Sequence, residues 1–137
     1  MNSTTSPAET NAYTERLPRA AESARPARQL VTNALNSWHL TQVSDDAVLI
    51  ISELVANAVR HAKAEPIRVT VKRVNSQQVR LEVSDRSRSM PYLRVPRPND
   101  IGGRGLPMVD ALCERWGTNL YPWGKCVWAE LKASDDQ

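Results

Sequence analysis

Two runs of alternating apolar residues lie on either side of a short polar segment in the middle of the chain. A period of two places the side chains of each run on one face of a strand, and Asn75-Ser76 lies between the runs as a turn. The pattern predicts a β-hairpin with one buried face. The inward-facing residues are Ile67, Val69, Val71, Val79, Leu81 and Val83.

Two amphipathic helices are predicted before this hairpin. Apolar and small residues recur at helical spacing over residues 22–38, with Pro26 in the first turn. Capping oxygens and negative charge at residues 44–46 begin a second helix that runs to about Ala62. The core-facing stripe expected on the second helix consists of Val48, Ile51, Val55, Ala58, Val59 and Ala62.

The chain after the hairpin begins with RSRSMPYLRVPRP, residues 86–98, which carry four arginines, three prolines and no acid. Glycines then lead into a third predicted helix that ends at Gly117, and residues 118–121 and 125–131 form a second strand pair. This order of elements predicts an α+β fold with helices on one face of a mostly antiparallel sheet.

The 137 residues are 41% hydrophobic, which suffices for one core. We expect one domain over residues 13–132, with tails at 1–12 and 133–137. A signal sequence and a membrane span are not expected, and the location expected is the cytoplasm. Cys113 and Cys126 are expected to be buried thiols, and the net charge of +3 is weak evidence for nucleic acid.

Glu53, Asn57 and His61 follow one another at intervals of four and therefore share one side of the second helix, which is expected to face away from the apolar stripe. Asparagine is unfavourable inside a helix, which suggests a use for Asn57. A carboxylate beside an amide oxygen can orient a water or hydroxyl and ligate Mg²⁺. The alternative is a solvated polar face.

Two further features suggest a ligand site. Asp85 is in phase with the buried residues of its strand, so its carboxylate needs donors, such as a purine amine, unless it only caps the next turn. Gly102, Gly103 and Gly105 precede the third helix, where free N–H groups can hold a phosphate; the alternative is a flexible loop end.

ELVANAVRHA, Asp85 and GGRGL, in this order, resemble the GHKL ATPase superfamily, whose histidine-kinase-like fold is shared with gyrase. The short chain and its ending, ERWG followed by GKCVWAEL, look like the stand-alone anti-sigma-factor kinase branch, particularly small actinobacterial regulators. The resemblance implies a two-layer α/β sandwich with a mixed, mostly antiparallel sheet. It covers nearly all of residues 13–131.

By this resemblance, Asn57 coordinates the Mg²⁺ of ATP, Glu53 is the general base, and Asp85 binds the adenine amine. By the same resemblance, Gly103 and Gly105 contact the phosphates, under a lid formed by residues 86–102. The nucleotide-binding set implied is Asn57, His61, Asp85, Ser87, Gly103, Arg104, Gly105 and Leu106.

The resemblance implies an ATP- and Mg²⁺-dependent serine/threonine kinase that binds a sigma factor and phosphorylates a small antagonist protein. No membrane or direct nucleic-acid partner is expected, and a homodimer is left open. Ser87 and Ser89 stand where the family has glycines, and their Cβ atoms can weaken nucleotide binding. The alternative is therefore a binding-only anti-sigma or regulatory module with a degenerate ATP site.

Overall fold

The computed structural model describes residues 10–61, 66–86 and 105–133. Three α-helices and five strands form the described part, and two short 3₁₀ turns precede α1 and α2. In chain order they are β1 (Ala12–Leu17), α1 (Ala24–Ser37), α2 (Ser44–His61), β2 (Ile67–Asn75), β3 (Gln78–Asp85), α3 (Gly105–Leu112), β4 (Arg115–Tyr121) and β5 (Gly124–Lys132).

The five strands form one sheet in the order β1-β2-β3-β5-β4. The predicted hairpin is confirmed as β2 and β3, in which Val71 lies opposite Leu81. Every strand pairing within the described residues is antiparallel, so the expected mixed sheet is not observed there. The α+β class with helices over one face is confirmed, because α1 and α2 both pack on the sheet.

The strand β1 was not predicted from the sequence. It pairs with β2 from Ala12 opposite Lys72 to Leu17 opposite Ile67. Leu17 is its only buried residue, so the strand shows no alternation that sequence analysis could detect. The chain is also held just before this strand, where Trp38 Nε1 donates a hydrogen bond to the Thr10 carbonyl at 2.6 Å.

The buried face of α2 is rotated relative to the predicted stripe. Val48 and Val59 are only half-buried, whereas Ile50 and Leu54 are fully buried. The helix thus presents an arc centred on Ile50, Leu54 and Ala58 to the core, while Ala62 lies outside the described residues. Since each residue turns the helix by about 100°, this rotation moves Asn57 to the edge of the buried arc.

The third helix ends earlier than predicted. It stops at Leu112, and Gly117 lies inside β4 rather than at a helix terminus. The Glu114 amide donates to the Glu130 carbonyl at 2.7 Å, so the chain joins β5 directly after the helix. None of the helices in the described ranges is both long and apolar enough to cross a bilayer.

The sheet face away from the helices carries a charged cluster around Trp128. Glu130 is buried and accepts hydrogen bonds from Arg80 at 3.3 Å and Arg115 at 2.7 Å. The Arg80 guanidinium carbon lies 4.2 Å from the Trp128 ring centroid, close enough for a cation–π contact. These contacts order polar side chains on a face that the helices leave uncovered.

Candidate functional site

Asn57 lies in the middle of α2 and is only 3% exposed. Its Nδ2 atom is buried and has no hydrogen-bond partner within the described residues. The expectation that Asn57 faces away from the apolar stripe is therefore wrong, as is the alternative of a solvated face for this residue. Glu53, one turn earlier, is half-buried. His61 is the last residue of α2, and its side chain lies outside the described part.

A buried amide nitrogen without an acceptor costs about 1–3 kcal/mol of folding free energy. The Asn57 amide carries two donors and one acceptor oxygen. The unpartnered Nδ2 can donate to an anionic oxygen such as that of a phosphate, and an amide oxygen is a ligand that Mg²⁺ accepts. The environment of Asn57 therefore fits a magnesium–phosphate group.

Asp85, at the end of β3, is buried on the helix-facing side of the sheet, as its strand phase predicts. Its partner is a cation of the same chain. Lys125 Nζ lies 3.0 Å from Asp85 Oδ1 and 3.1 Å from Oδ2, and the lysine is 0% exposed. The two residues lie directly opposite each other on β3 and β5.

Sequence reasoning missed Lys125, although a usable pattern was present. Lys125 is in phase with Val127, Ala129 and Leu131, which all face the core. Strand alternation therefore places the Lys125 side chain on the buried face, as it does for Asp85. Two opposite charges predicted to be buried on strands of one sheet suggest an ion pair, because neither is stable there alone.

Gly124 allows the close approach of the two strands beside this ion pair. A Cβ atom at Gly124 would stand 2.1 Å from the Asp85 carbonyl oxygen, and its φ of +158° is rarely adopted by other residues. The start of β5 thus packs directly against the end of β3. This packing fixes the backbone that carries Lys125.

The glycines predicted to hold phosphate come immediately before α3 or begin it. Gly105 is the first residue of that helix and Leu106 the second. The predicted site residues Ser87, Gly103 and Arg104 lie outside the described residues, as do Gly102 and Ser89. The helix α2 packs against both β3 and α3. The helix that carries Asn57 is thus packed against both the strand that ends in Asp85 and the helix that begins at Gly105.

The two cysteines do not offer an activated nucleophile. Burial raises the pKa of the Cys126 thiol above its usual value of 9.0. Burial and the nearby Asp110 carboxylate raise the pKa of Cys113. Both thiols are therefore protonated at neutral pH, which disfavours thiolate chemistry.

The sequence model of the histidine kinase-like ATPase domain matches residues 17–131. The chain belongs to this family. Family membership confirms the resemblance noted from the sequence and implies nucleotide-dependent kinase or ATPase chemistry in general. A comparison of this chain with curated protein sequences found no match.

Solved structures share the fold. The RsbU and RsbW domains of Rv1364c from Mycobacterium tuberculosis superpose with a TM-score of 0.68 at 23% identity, covering 90% of this chain and 32% of that one. The histidine kinase AdeS of Acinetobacter baumannii gives a TM-score of 0.52 at 11% identity, covering 93% and 71%. A blue-light activated histidine kinase from Erythrobacter litoralis gives 0.50 at 18% identity, covering 85% and 61%.

Proposed function

We propose that this chain is an ATP- and Mg²⁺-dependent serine/threonine protein kinase of the anti-sigma type. It would bind a sigma factor and phosphorylate a small antagonist protein, acting in the cytoplasm. The observation that carries the nucleotide part is the buried Asn57 amide with its unpartnered nitrogen, in a domain of the histidine kinase-like ATPase family. The anti-sigma part rests on the sequence resemblance and agrees with a fold shared with the RsbW domain.

The site residues that the structure describes have defined roles in this proposal. Asn57 would ligate Mg²⁺ through its amide oxygen and donate from Nδ2 to a phosphate oxygen. Glu53 would accept the proton of the attacking hydroxyl as a general base. Bound ATP supplies the phosphoryl group that is transferred. The start of α3 at Gly105 and Leu106 would offer backbone N–H groups to phosphate.

The remaining sequence-based assignments belong to the same proposal. His61, Ser87, Gly103 and Arg104 would complete the nucleotide site around the magnesium–phosphate group. Asp85 would lie beside the base, although its carboxylate is already bound by Lys125. The affinity for nucleotide would therefore come mainly from the magnesium and phosphate side of the site.

A second candidate is a binding-only regulatory module in which the ATP site has degenerated. The Asp85–Lys125 ion pair favours it, because the carboxylate that would select adenine is satisfied within the protein. The serines at 87 and 89 in place of glycines point the same way. This candidate would hold a sigma factor without transferring phosphate.

One experiment separates the two candidates. The purified chain is titrated with ATP in the presence and absence of Mg²⁺, and then incubated with γ-labelled ATP and candidate antagonist proteins from sigma-factor regulatory systems. Magnesium-dependent binding followed by label on an antagonist serine supports the kinase. No magnesium-dependent binding, with a sigma factor still retained by the chain, would contradict the kinase and support the binding-only module.

A further inference from the structure

The Asp85 carboxylate is bound by a cation of the chain itself at the place where the base is proposed to lie. Lys125 Nζ bridges both carboxylate oxygens, at 3.0 Å and 3.1 Å. Both side chains are buried, on adjacent strands. A base that reaches this position therefore meets a neutral ion pair, not an unpaired negative charge.

The backbone around the pair disfavours its separation. The two residues lie opposite each other in the β3–β5 register, and the strands are so close here that Gly124 has no room for a Cβ beside the Asp85 carbonyl. Moving the carboxylate toward a ligand would leave the Lys125 ammonium buried without its counter-ion, which is strongly unfavourable. The ion pair is therefore expected to persist when a nucleotide binds.

Persistence of the pair has a consequence for base selection. An unpaired carboxylate accepts a hydrogen bond from the exocyclic amine of adenine and repels the carbonyl oxygen that guanine carries at the same position. An ammonium bound to both carboxylate oxygens weakens the attraction and cancels the repulsion. We infer that Lys125 removes discrimination between adenine and guanine, so that the site binds purine nucleoside triphosphates through phosphate and Mg²⁺. This inference rests on the proposed nucleotide site.

Calorimetric titration of the full chain with ATP and with GTP, each with Mg²⁺, tests the inference directly. The two dissociation constants are expected to agree within about threefold. In a matched neutral pair, the double variant Asp85→Asn with Lys125→Met, the dissociation constants for ATP and GTP should again agree with each other within about threefold. A wild-type preference for ATP of about tenfold or more, or a loss of ATP affinity alone in the double variant, would overturn the inference.

Lys125→Met alone leaves the Asp85 carboxylate without its cation. If this variant folds, as judged by circular dichroism, its preference for ATP over GTP should rise to about tenfold or more, and an unchanged ratio would overturn the inference. If it does not fold, the neutral double variant decides the question. Failure of both nucleotides to bind the wild type is a different result, because it overturns the proposed function on which the inference rests.

Discussion

The Trp128 indole lies directly against Gly117, its cross-strand neighbour on β4. A Cβ atom on Gly117 would stand 2.8 Å from Trp128 Cζ2. That distance is shorter than any ordinary carbon–carbon contact, so the ring has room only because residue 117 has no side chain. The glycine therefore serves side-chain packing on the open face of the sheet.

Gly117→Ala is expected to destabilise the fold by about 1–3 kcal/mol, because the added methyl group forces the indole or the strand to move. Urea unfolding followed by circular dichroism measures the change. The same substitution in a Trp128→Leu background provides the control, since the shorter side chain leaves space for the methyl group. An equal cost in both backgrounds would show that the Trp128 contact is not responsible.

Asn57→Ala should not lower the melting temperature, because the buried amide nitrogen it removes has no partner within the described residues and already costs folding free energy. Magnesium-dependent ATP affinity should fall by about tenfold or more, since the proposed metal ligand is lost. Calorimetric titration and thermal melting measure the two effects. Ser52→Ala is the matched control on the same helix, because its hydroxyl is bonded to the Val48 carbonyl and belongs to no proposed site. Unchanged affinity in folded Asn57→Ala would refute the metal assignment.

Glu53→Gln should retain nucleotide binding and lose turnover, because the amide keeps the shape of the side chain but cannot accept the proton. General-base removal lowers rates by about 100-fold to 10,000-fold. Release of labelled phosphate from γ-labelled ATP, with water as the acceptor, is a suitable assay. Glu15→Gln, at an exposed position of β1, should turn over like the wild type. Equal turnover in Glu53→Gln would assign Glu53 a structural role.

Stability should depend on the protonation of Cys126 in alkaline solution. Burial raises the pKa of its thiol above the value of 9.0 expected in the unfolded chain. The folded state therefore holds the proton more tightly, and the stability this contributes is present below pH 9 and lost as the pH rises through the folded pKa. Unfolding of the wild type and of Cys126→Ala, compared from neutral to alkaline pH, should show the wild type losing more stability. Parallel curves would contradict the shift.

The elements that were predicted correctly are those whose own residues carry a strong period. The helix α2 and the hairpin of β2 and β3 each bury a continuous apolar face. The spacing of their apolar residues therefore indicates a helix or a strand directly from the sequence. The end of α3 was misplaced because Gly117 was interpreted as a helix stop, when its reason is the indole of Trp128, eleven residues later in the chain. A contact between distant residues is not visible in local periodicity.

The candidate site shows the same division. Asn57 was identified because asparagine is unfavourable inside a helix. Asp85 was identified because it is in phase with the buried residues of its strand. The cation that binds Asp85 was missed because the hairpin containing Lys125 was treated as scaffold. The roles of Ser87, Gly103 and Arg104 remain predictions, since these residues lie outside the described part of the chain.

The edge strand β1 also matters for how this protein can be divided. The family match begins at residue 17, whereas β1 spans Ala12–Leu17 and covers one side of β2. A fragment trimmed to the matched range would leave β2 with a row of free backbone N–H and C=O groups, which is a template for aggregation between molecules. The useful limits of a fragment are therefore set by the hydrogen-bond ladder of the sheet and not by the extent of sequence similarity.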